Sequence, residues 1–339
     1  MNGGAVNKIP LRLIVLGMLI FLGLALSLCL GDVWVNPEEA LKILTCPSGT
    51  IVSQPGVEDI LWQIRLPRML IATIIGIALS LSGYILQALS RNHLADPYLT
   101  GVSSGAGLAV ALAMLVGLDF ALVPAAAFAG GLAASLAVAL MARSSGGLSV
   151  TRLLLSGVAL SSICGALITL IITQSGNLAR TQGLVFWLAG GIAGRSWDEL
   201  MAATIYTTAG VMVVLIMSKQ IRLLSLGDES AQALGLDVAR AQWILLSVAV
   251  ILCGAAVSIS GLVGFVGLMA PNLARILFGR DERVQIIAAA LIGSLLVMVS
   301  DLAARTLGQG QELPLGTLLA LIGGPFFLFL VRQRRGEEL

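Results

Sequence analysis

The sequence predicts an all-α polytopic membrane protein of about ten transmembrane helices. Three observations lead there. Hydrophobic residues make up 58% of the chain and charged ones only 11%, against about a quarter charged in a soluble domain. The apolar residues gather into ten stretches close to the ~20 residues that a helix needs to cross a bilayer. The acidic residues all fall between those stretches or at their ends.

In chain order the stretches cover residues 12–31, 66–89, 99–117, 121–142, 153–174, 199–217, 242–260, 262–278, 284–303 and 313–331. Ser260 and Gly261 divide the almost continuous run from 242 to 278. No A-x-A cleavage site follows the first stretch, so it reads as a retained span and not as a signal peptide. Residues 1–339 are expected to form a single membrane domain. An even number of spans puts both termini on one side. Of the 20 lysines and arginines, fourteen then share the side of the termini. Six remain opposite: Lys42, Arg65, Arg68, Arg180, Arg195 and Arg305. This bias predicts that both termini are cytoplasmic.

The longest outer loop, 32–64, ends in Gln63-Ile64-Arg65-Leu66-Pro67-Arg68. Pro67 suits the first turn of a helix. Two arginines at a helix start oppose its dipole. They read either as snorkelling side chains or as a basic patch for an acidic soluble partner. Asp301 and Arg305 lie four residues apart near the outer end of the ninth stretch, where they can pair.

On the inner side, Asp96 and Pro97 mark a tight turn after the second stretch. Gly101, Gly105 and Gly107 follow, and in an apolar helix such spacing reads as close packing. A second inner turn covers Gly146 to Arg152. The most polar inner segment is Ser225 to Asp237, within 218–240. Asp228 is a suitable N-cap, Glu229 adds charge at the positive helix end, and Gly235 is a suitable stop. It reads as a short helix held outside the membrane for a partner, or as a solvated loop.

Several function classes lose support. The three lysines (Lys8, Lys42, Lys219) do not follow a glycine, so no GxxxxGK[ST] phosphate loop exists. No GxSxG or HExxH occurs. The single histidine, His93, lies in a turn. Cys29, Cys164 and Cys253 fall in apolar runs and Cys46 in a loop, with no metal-site spacing. A Cys29–Cys46 disulfide stays open. Net charge is +2, and no nucleic-acid partner is implied. Ion-coupled carriers keep an ionisable residue within the bilayer. Its absence argues against self-powered transport, although sodium sites built from backbone carbonyls stay open.

A run of motifs then resembles the FecCD family of ABC importer permeases. They begin with Arg65-Leu66-Pro67-Arg68, Ser82-Gly83-Tyr84-Ile85-Leu86-Gln87-Ala88-Leu89 and Asn92-His93-Leu94-Ala95-Asp96-Pro97. Gly101-Val102-Ser103-Ser104-Gly105-Ala106, Leu153 to Leu160 and Trp187-Leu188-Ala189-Gly190-Gly191 follow. Gly264-Phe265-Val266-Gly267-Leu268, Pro271, Arg275 and Glu312-Leu313-Pro314-Leu315-Gly316 complete the series. The likeness extends from about Trp62 to Arg332.

The resemblance implies a type II ABC importer permease fold, with two copies flanking the pathway as a homodimer or as a heterodimer with a paralogue. It implies two cytoplasmic ATP-binding subunits that supply ATP and Mg, and a periplasmic or surface substrate-binding protein. The cargo would be a ferric siderophore, haem or cobalamin, and the location a bacterial or archaeal inner membrane. It implies no catalytic residue, metal site or cofactor in this chain. By the same resemblance, Leu226, Gly227, Asp228, Glu229, Ser230, Ala231, Gln232, Ala233, Leu234, Gly235 and Leu236 couple to the ATPase. Asn92, His93, Leu94, Ala95, Asp96 and Pro97, with Ser149, Val150 and Thr151, form the cytoplasmic gate. Arg65, Arg68 and Arg305 meet acidic knobs on the binding protein, so Glu at both 65 and 68 is expected to abolish uptake with the fold intact. The family usually has Pro at the position of His93 and His at that of Asn272. Small and hydroxyl residues such as Ser103, Ser104, Ser161, Ser162 and Thr169 are expected to line the pathway. A secondary carrier, and a membrane enzyme or scaffold, are the competing readings.

Overall fold

The computed structural model describes residues 9–31, 33–45, 56–144, 147–279, 281–308 and 311–335. All ten predicted stretches are helical. They are α1 (Ile9–Cys29), α3 (Val57–Ser90), α4 (Val102–Leu115), α5 (Val123–Met141) and α6 (Val150–Gln174). The rest are α8 (Trp197–Ile216), α11 (Val238–Ser260), α12 (Val266–Phe278), α13 (Glu282–Leu307) and α14 (Leu315–Arg335). Four shorter α-helices lie between them among the described residues: α2 (Pro37–Thr45), α7 (Leu178–Ala189), α9 (Ser218–Ser225) and α10 (Asp228–Ala233). The only strands among the described residues are β1 (Arg143–Ser144) and β2 (Gly147–Leu148), a minimal antiparallel pair.

Eight helices among the described residues are long and apolar enough to cross a membrane. The other two, α4 and α12, have 14 and 13 residues. At 1.5 Å per residue each covers about 20 Å, short of a ~30 Å hydrocarbon core. The break before α12 falls where the sequence places it. The chain leaves α11 at Ser260, runs without helix through 261–265, and re-enters at Phe265, whose φ is +68°. A phenylalanine rarely adopts that region. Gly323 of α14 lies against its ring, where an added Cβ would come within 2.3 Å.

Helix α3 is the hub. Its most apolar window is 78% buried, against 11% for α6. Two glycine contacts let neighbouring backbones reach it. A Cβ on Gly76 would lie 2.3 Å from the Gly293 carbonyl oxygen of α13, and one on Gly83 would lie 1.9 Å from that of Gly267 in α12. The glycines after Pro97 pack as expected, because Gly105 sits on Gly130 and Ala134 of α5.

Three expectations need correction. The second span starts at Val57, not at 66, and loop 32–64 contains α2. Pro67 therefore lies inside a continuous helix. The turn before it, Ile60–Arg65, widens to π geometry, which suits a residue that cannot donate to the helical ladder. Arg65 and Arg68 consequently do not face a positive helix end. Finally, α7 occupies a region expected as loop; Asn177 caps it through the Arg180 N–H and Gly190 ends it. Cys29 is buried with a free thiol, and Cys46 lies outside the described residues.

Contacts sort the connections into two groups. Leu28, Arg65, Trp62, Trp197, Arg305 and Glu312 meet at one end of the bundle, here the far end. Arg91, Asp228, Leu148, Gln242, His93 and Asn272 meet at the other. That second group is the termini end.

Candidate functional site

The polar segment at the termini end folds as α9 and α10 separated by Gly227, whose φ of +109° turns the chain between them. Gly227, not Asp228, occupies the N-cap of α10, and no side chain caps it. Asp228 is the first helical residue and is used differently. Its carboxylate lies 3.7 Å from the Arg91 guanidinium and accepts from Gln242 Nε2 at 3.4 Å. Gly235, with φ +84°, ends the helix. Its N–H donates to Gln232 O and that of Leu236 to Ala231 O, the paired bonds of a Schellman ending. Ala231 is the buried anchor, whereas Leu226 and Leu234 are 61% and 62% exposed. Glu229, Ser230, Gln232 and Ala233 are exposed as well. A charged and apolar surface is thus held on a short helix closed at its C-terminus by these two bonds.

Arg91 ends α3 in a left-handed conformation, φ +50°. From there the chain makes two side-chain-closed turns. Asn92 Oδ1 accepts from Leu94 N at 2.9 Å, and Asp96 Oδ1 accepts from Tyr98 N at 2.8 Å. Ala95 and Pro97 are buried, and Pro97 rests on Gly267. Asn272 Nδ2 donates to the His93 carbonyl at 2.8 Å. The Tyr98 hydroxyl accepts the Val263 N–H at 2.8 Å within the α11–α12 break. Burial raises the Asp96 carboxyl to about 6 although the Tyr98 bond pulls the other way.

The second turn joins the same assembly. Ser149 caps α6 through Arg152 N, followed by Val150 and exposed Thr151. Leu148 N donates to Gln242 Oε1 at 2.9 Å. Gln242, 97% buried by its exposure of 3%, therefore touches β2 with one end of its amide and Asp228 with the other. Gln242 is absent from the sequence-based set, since a lone polar residue at the start of an apolar helix carries no motif. A second cluster that no motif announces lines one cavity with Arg91 and His93: Tyr84 donates to Glu282 at 2.7 Å, and Arg275 stacks 5.1 Å from the Tyr84 ring.

At the far end the three arginines are brought together but turned inward. Arg65 and Arg68 are 5% and 6% exposed. Arg65 donates to the carbonyls of Leu28 (2.5 Å), Cys29 (3.2 Å) and Val33. Arg68 grips Asp301 at 2.9 Å and Glu312 at 2.5 Å. Arg305 pairs with Asp301 at 3.3 Å, as its spacing predicts, and donates to Ser27 Oγ at 2.7 Å. The expected open basic patch is corrected to a folded ionic cluster. Desolvated guanidinium groups need acceptors, and α13 and the 311–314 loop bring carboxylates that are distant in sequence.

The hydroxyl residues divide. Ser161 Oγ bonds Ser104 Oγ at 3.1 Å, joining α6 to α4. Ser162 and Thr169 lie on the exposed face of α6, bonded to Val158 and Gly165 carbonyls. Among the described residues no group of three His, Cys, Asp or Glu could hold a metal.

Comparison with known proteins adds the following. The FecCD transport family matches residues 18–333. The hemin transport system permease protein HmuU of Yersinia pestis is 39% identical, over 83% of this chain and 86% of its own. The cobalamin import system permease protein BtuC of Halobacterium salinarum is 40% identical, over 83% and 75%. A solved structure described as a metal-chelate type ABC transporter in an inward-facing conformation superposes with a TM-score of 0.84 at 30% identity, covering 96% of this chain and 99% of that one.

Proposed function

The chain belongs to the FecCD transport family, and from that premise we propose that it is the membrane-spanning half of an importer that carries an intact organic metal chelate, a ferric siderophore before haem or cobalamin. Two copies, or one copy and a paralogue, flank the pathway in the plasma membrane, the inner membrane where there are two. The termini end is cytoplasmic. ATP and Mg bind to a separate pair of subunits, and a soluble receptor delivers the chelate to the far end.

One observation carries this reading. Asp228 and Gln242 tie exposed α10 to both turns at the termini end, through Arg91 on one side and Leu148 on the other. A push on α10 by an ATPase is transmitted at once to 92–97 and 147–151. The exposed Leu226 and Leu234 supply the apolar contact for that partner. Alternating access follows as these turns move with the inner ends of α3, α6 and α11. At the far end the arginine cluster is the frame of the receptor surface, and partly exposed Glu312 is its accessible edge.

The test is receptor-dependent ATP hydrolysis by this chain with its cognate ATPase in lipid, with receptor loaded with ferric siderophore, haem or cyanocobalamin. Coupled hydrolysis and uptake with one cargo is expected. An ATPase that never copurifies, with uptake driven by an ion gradient, overturns the reading in favour of a secondary carrier.

A further inference from the structure

Helices α5 and α8 both pack along α11, and between their far-end halves a groove of about 540 Å³ stays open. Its lining is small on all three sides: Ala121, Pro124 and Ala125 at the start of α5, Ala202 and Ala203 of α8, and Ala255 of α11. Phe128 and Tyr206, with ring centroids 5.4 Å apart, join α5 to α8 and mark the deep end. From Asp198 at the mouth to Tyr206 is eight residues of one helix, about 12 Å at 1.5 Å per residue. That is close to half of a ~30 Å hydrocarbon core, the depth of one leaflet.

The mouth is acidic. Asp198 and Glu199 stand in the first turn of α8, and Asp119 accepts from the Ala121 N–H at 3.2 Å. No lysine or arginine is among the described residues that line the groove. The two carboxylates of α8 differ in use. Glu199 accepts from the Ser196 N–H at 3.0 Å and from its hydroxyl, and faces Arg195 at 3.5 Å. Asp198 is exposed and, among the described residues, has neither a hydrogen bond nor an ion pair. The helix dipole favours a carboxylate in the first turn, which accounts for its sign but not for the apolar channel beneath it. The neighbouring Trp197 donates its indole N–H to the Trp62 carbonyl at 2.9 Å, and tryptophans gather at the headgroup level of a bilayer. Met201 and Ile205 of α8 are exposed beside the groove, the mark of a face that meets acyl chains.

We propose that this groove holds one phospholipid of the far-end leaflet, selected for a primary ammonium headgroup such as that of phosphatidylethanolamine. The ammonium donates to the Asp198 carboxylate, and an acyl chain lies along the alanines as far as the Phe128 and Tyr206 rings. A choline headgroup carries the charge without an N–H donor. A glycerol headgroup leaves a net negative lipid facing the carboxylates of α8. The order of preference is therefore ethanolamine, choline, glycerol. The seated chain fixes the spacing of α5 and α8 over the end of α11 that leads into the 261–265 break. The site depends on the groove and its charge, and not on which cargo the chain carries.

The experiment titrates the full chain, stripped of lipid in a mild detergent, with phosphatidylethanolamine, phosphatidylcholine and phosphatidylglycerol of identical acyl chains. Bound lipid is counted by native mass spectrometry, and the melting temperature is followed in parallel. The variants are Asp198→Asn, Asp198→Lys and Ala202→Phe. Asn keeps the shape and removes the charge; Lys reverses the charge; Phe fills the groove from an exposed position on α8. The wild type is expected to bind and be stabilised by the ethanolamine lipid before the glycerol one. Asn should weaken the ethanolamine lipid about two- to fivefold, the range of a partly exposed ion pair. Lys should turn the preference toward the glycerol lipid, and Phe should lose both the bound lipid and its stabilisation. Equal affinity of the wild type for all three headgroups, or an Asn variant that keeps the wild-type order, overturns the proposal. So does an Ala202→Phe variant that binds lipid as the wild type does; if that variant also shifts the ratio of monomer to dimer, a second copy of the chain covers the groove instead. Lipid-free melting temperatures that match the wild type show that the variants fold.

Discussion

Gln242 receives the backbone N–H of Leu148 at 2.9 Å and, with the other end of its amide, donates to Asp228 at 3.4 Å. A single buried side chain therefore joins the strand pair before α6 to the exposed helix α10. Leu at this position keeps the volume and removes both bonds. The Leu148 N–H is then left buried without its acceptor, at a cost of about 1–3 kcal/mol. We expect Gln242→Leu to lower the melting temperature and to leave ATP hydrolysis running while uptake falls at least tenfold. Equal loss of hydrolysis and uptake would show that the bond serves folding alone.

The far-end cluster leads to a prediction opposite to the one drawn from sequence. Arg68 is sandwiched by Asp301 and Glu312, so Glu at 68 would place three carboxylates together in a buried site. Arg68→Glu is expected to abolish folded protein, and Arg68→Leu to destabilise by roughly 3–5 kcal/mol, less whatever Arg305 recovers at its 3.3 Å contact with Asp301. Pairing Arg68→Leu with Asp301→Leu should restore much of the loss, which a double-mutant cycle on detergent-solubilised protein measures. Additive losses would refute the pairing.

Asn272 and His93, the two positions at which the resemblance leads one to expect other residues, are in contact through the Asn272 amide and the His93 carbonyl. The Asn272 amide reaches the His93 carbonyl and also the Leu268 carbonyl one turn back on its own helix, at 2.7 Å. Ala at 272 releases the 92–97 turn from α12; His restores a ring N–H donor. Backbone hydrogen exchange at Ala95, Tyr98 and Leu99 is expected to quicken at least tenfold in Asn272→Ala and to stay near wild type in Asn272→His.

These cases mark what a single sequence can carry. The ten apolar helices were readable because each carries an apolar run, long enough to cross a membrane in eight of those described, and the Ser260–Gly261 break because it interrupts one. Helix α7 has only 12 residues and includes Arg180 and Gln182, so no apolar run announces it; its Asn177 cap and Gly190 stop were the available signals. The Arg68 partners lie 233 and 244 residues away, and no local pattern reports a contact at that separation. Asp301–Arg305, four residues apart on one helix, was readable for the opposite reason. Gln242 looked like a polar residue at a span end, and only the fold gives it two partners.

Close backbone contacts separate the glycines into two groups with different expected costs. Ala at Gly83 would force a methyl against the Gly267 carbonyl, 1.9 Å from its oxygen, between two helices that cannot both move because α3 is the hub. Gly83→Ala is expected to prevent accumulation of folded protein. Gly165, on the open face of α6, meets nothing within 4 Å, and Gly165→Ala should gain about 0.5–1 kcal/mol of helix propensity. Yield of monodisperse protein and thermal midpoint in one detergent decide both.

Asp96 gives a pH dependence whose sign can be worked out. Its carboxyl is raised by burial from 3.8 to about 6 in the folded chain. Between those values the folded state holds more protons than the unfolded one, so stability falls as pH rises. The contribution is fully present below about 4 and is lost as pH passes through about 6. At neutral pH the chain therefore carries an ionised carboxylate that its surroundings disfavour, kept in place by the Tyr98 N–H at 2.8 Å. Asn offers the same acceptor without the charge. Asp96→Asn is expected to raise the melting temperature at pH 7.5, to match wild type near pH 4.5, and to flatten the profile between. A wild-type profile that rises across pH 4–6, or an Asn variant less stable than wild type at pH 7.5, would place the charged form in a role that burial alone does not explain. Since Asp96 shapes the turn that meets Asn272 and the α11–α12 break, uptake measured over the same range then tells whether protonation stiffens that turn, in which case acidification slows transport in the wild type and not in Asp96→Asn.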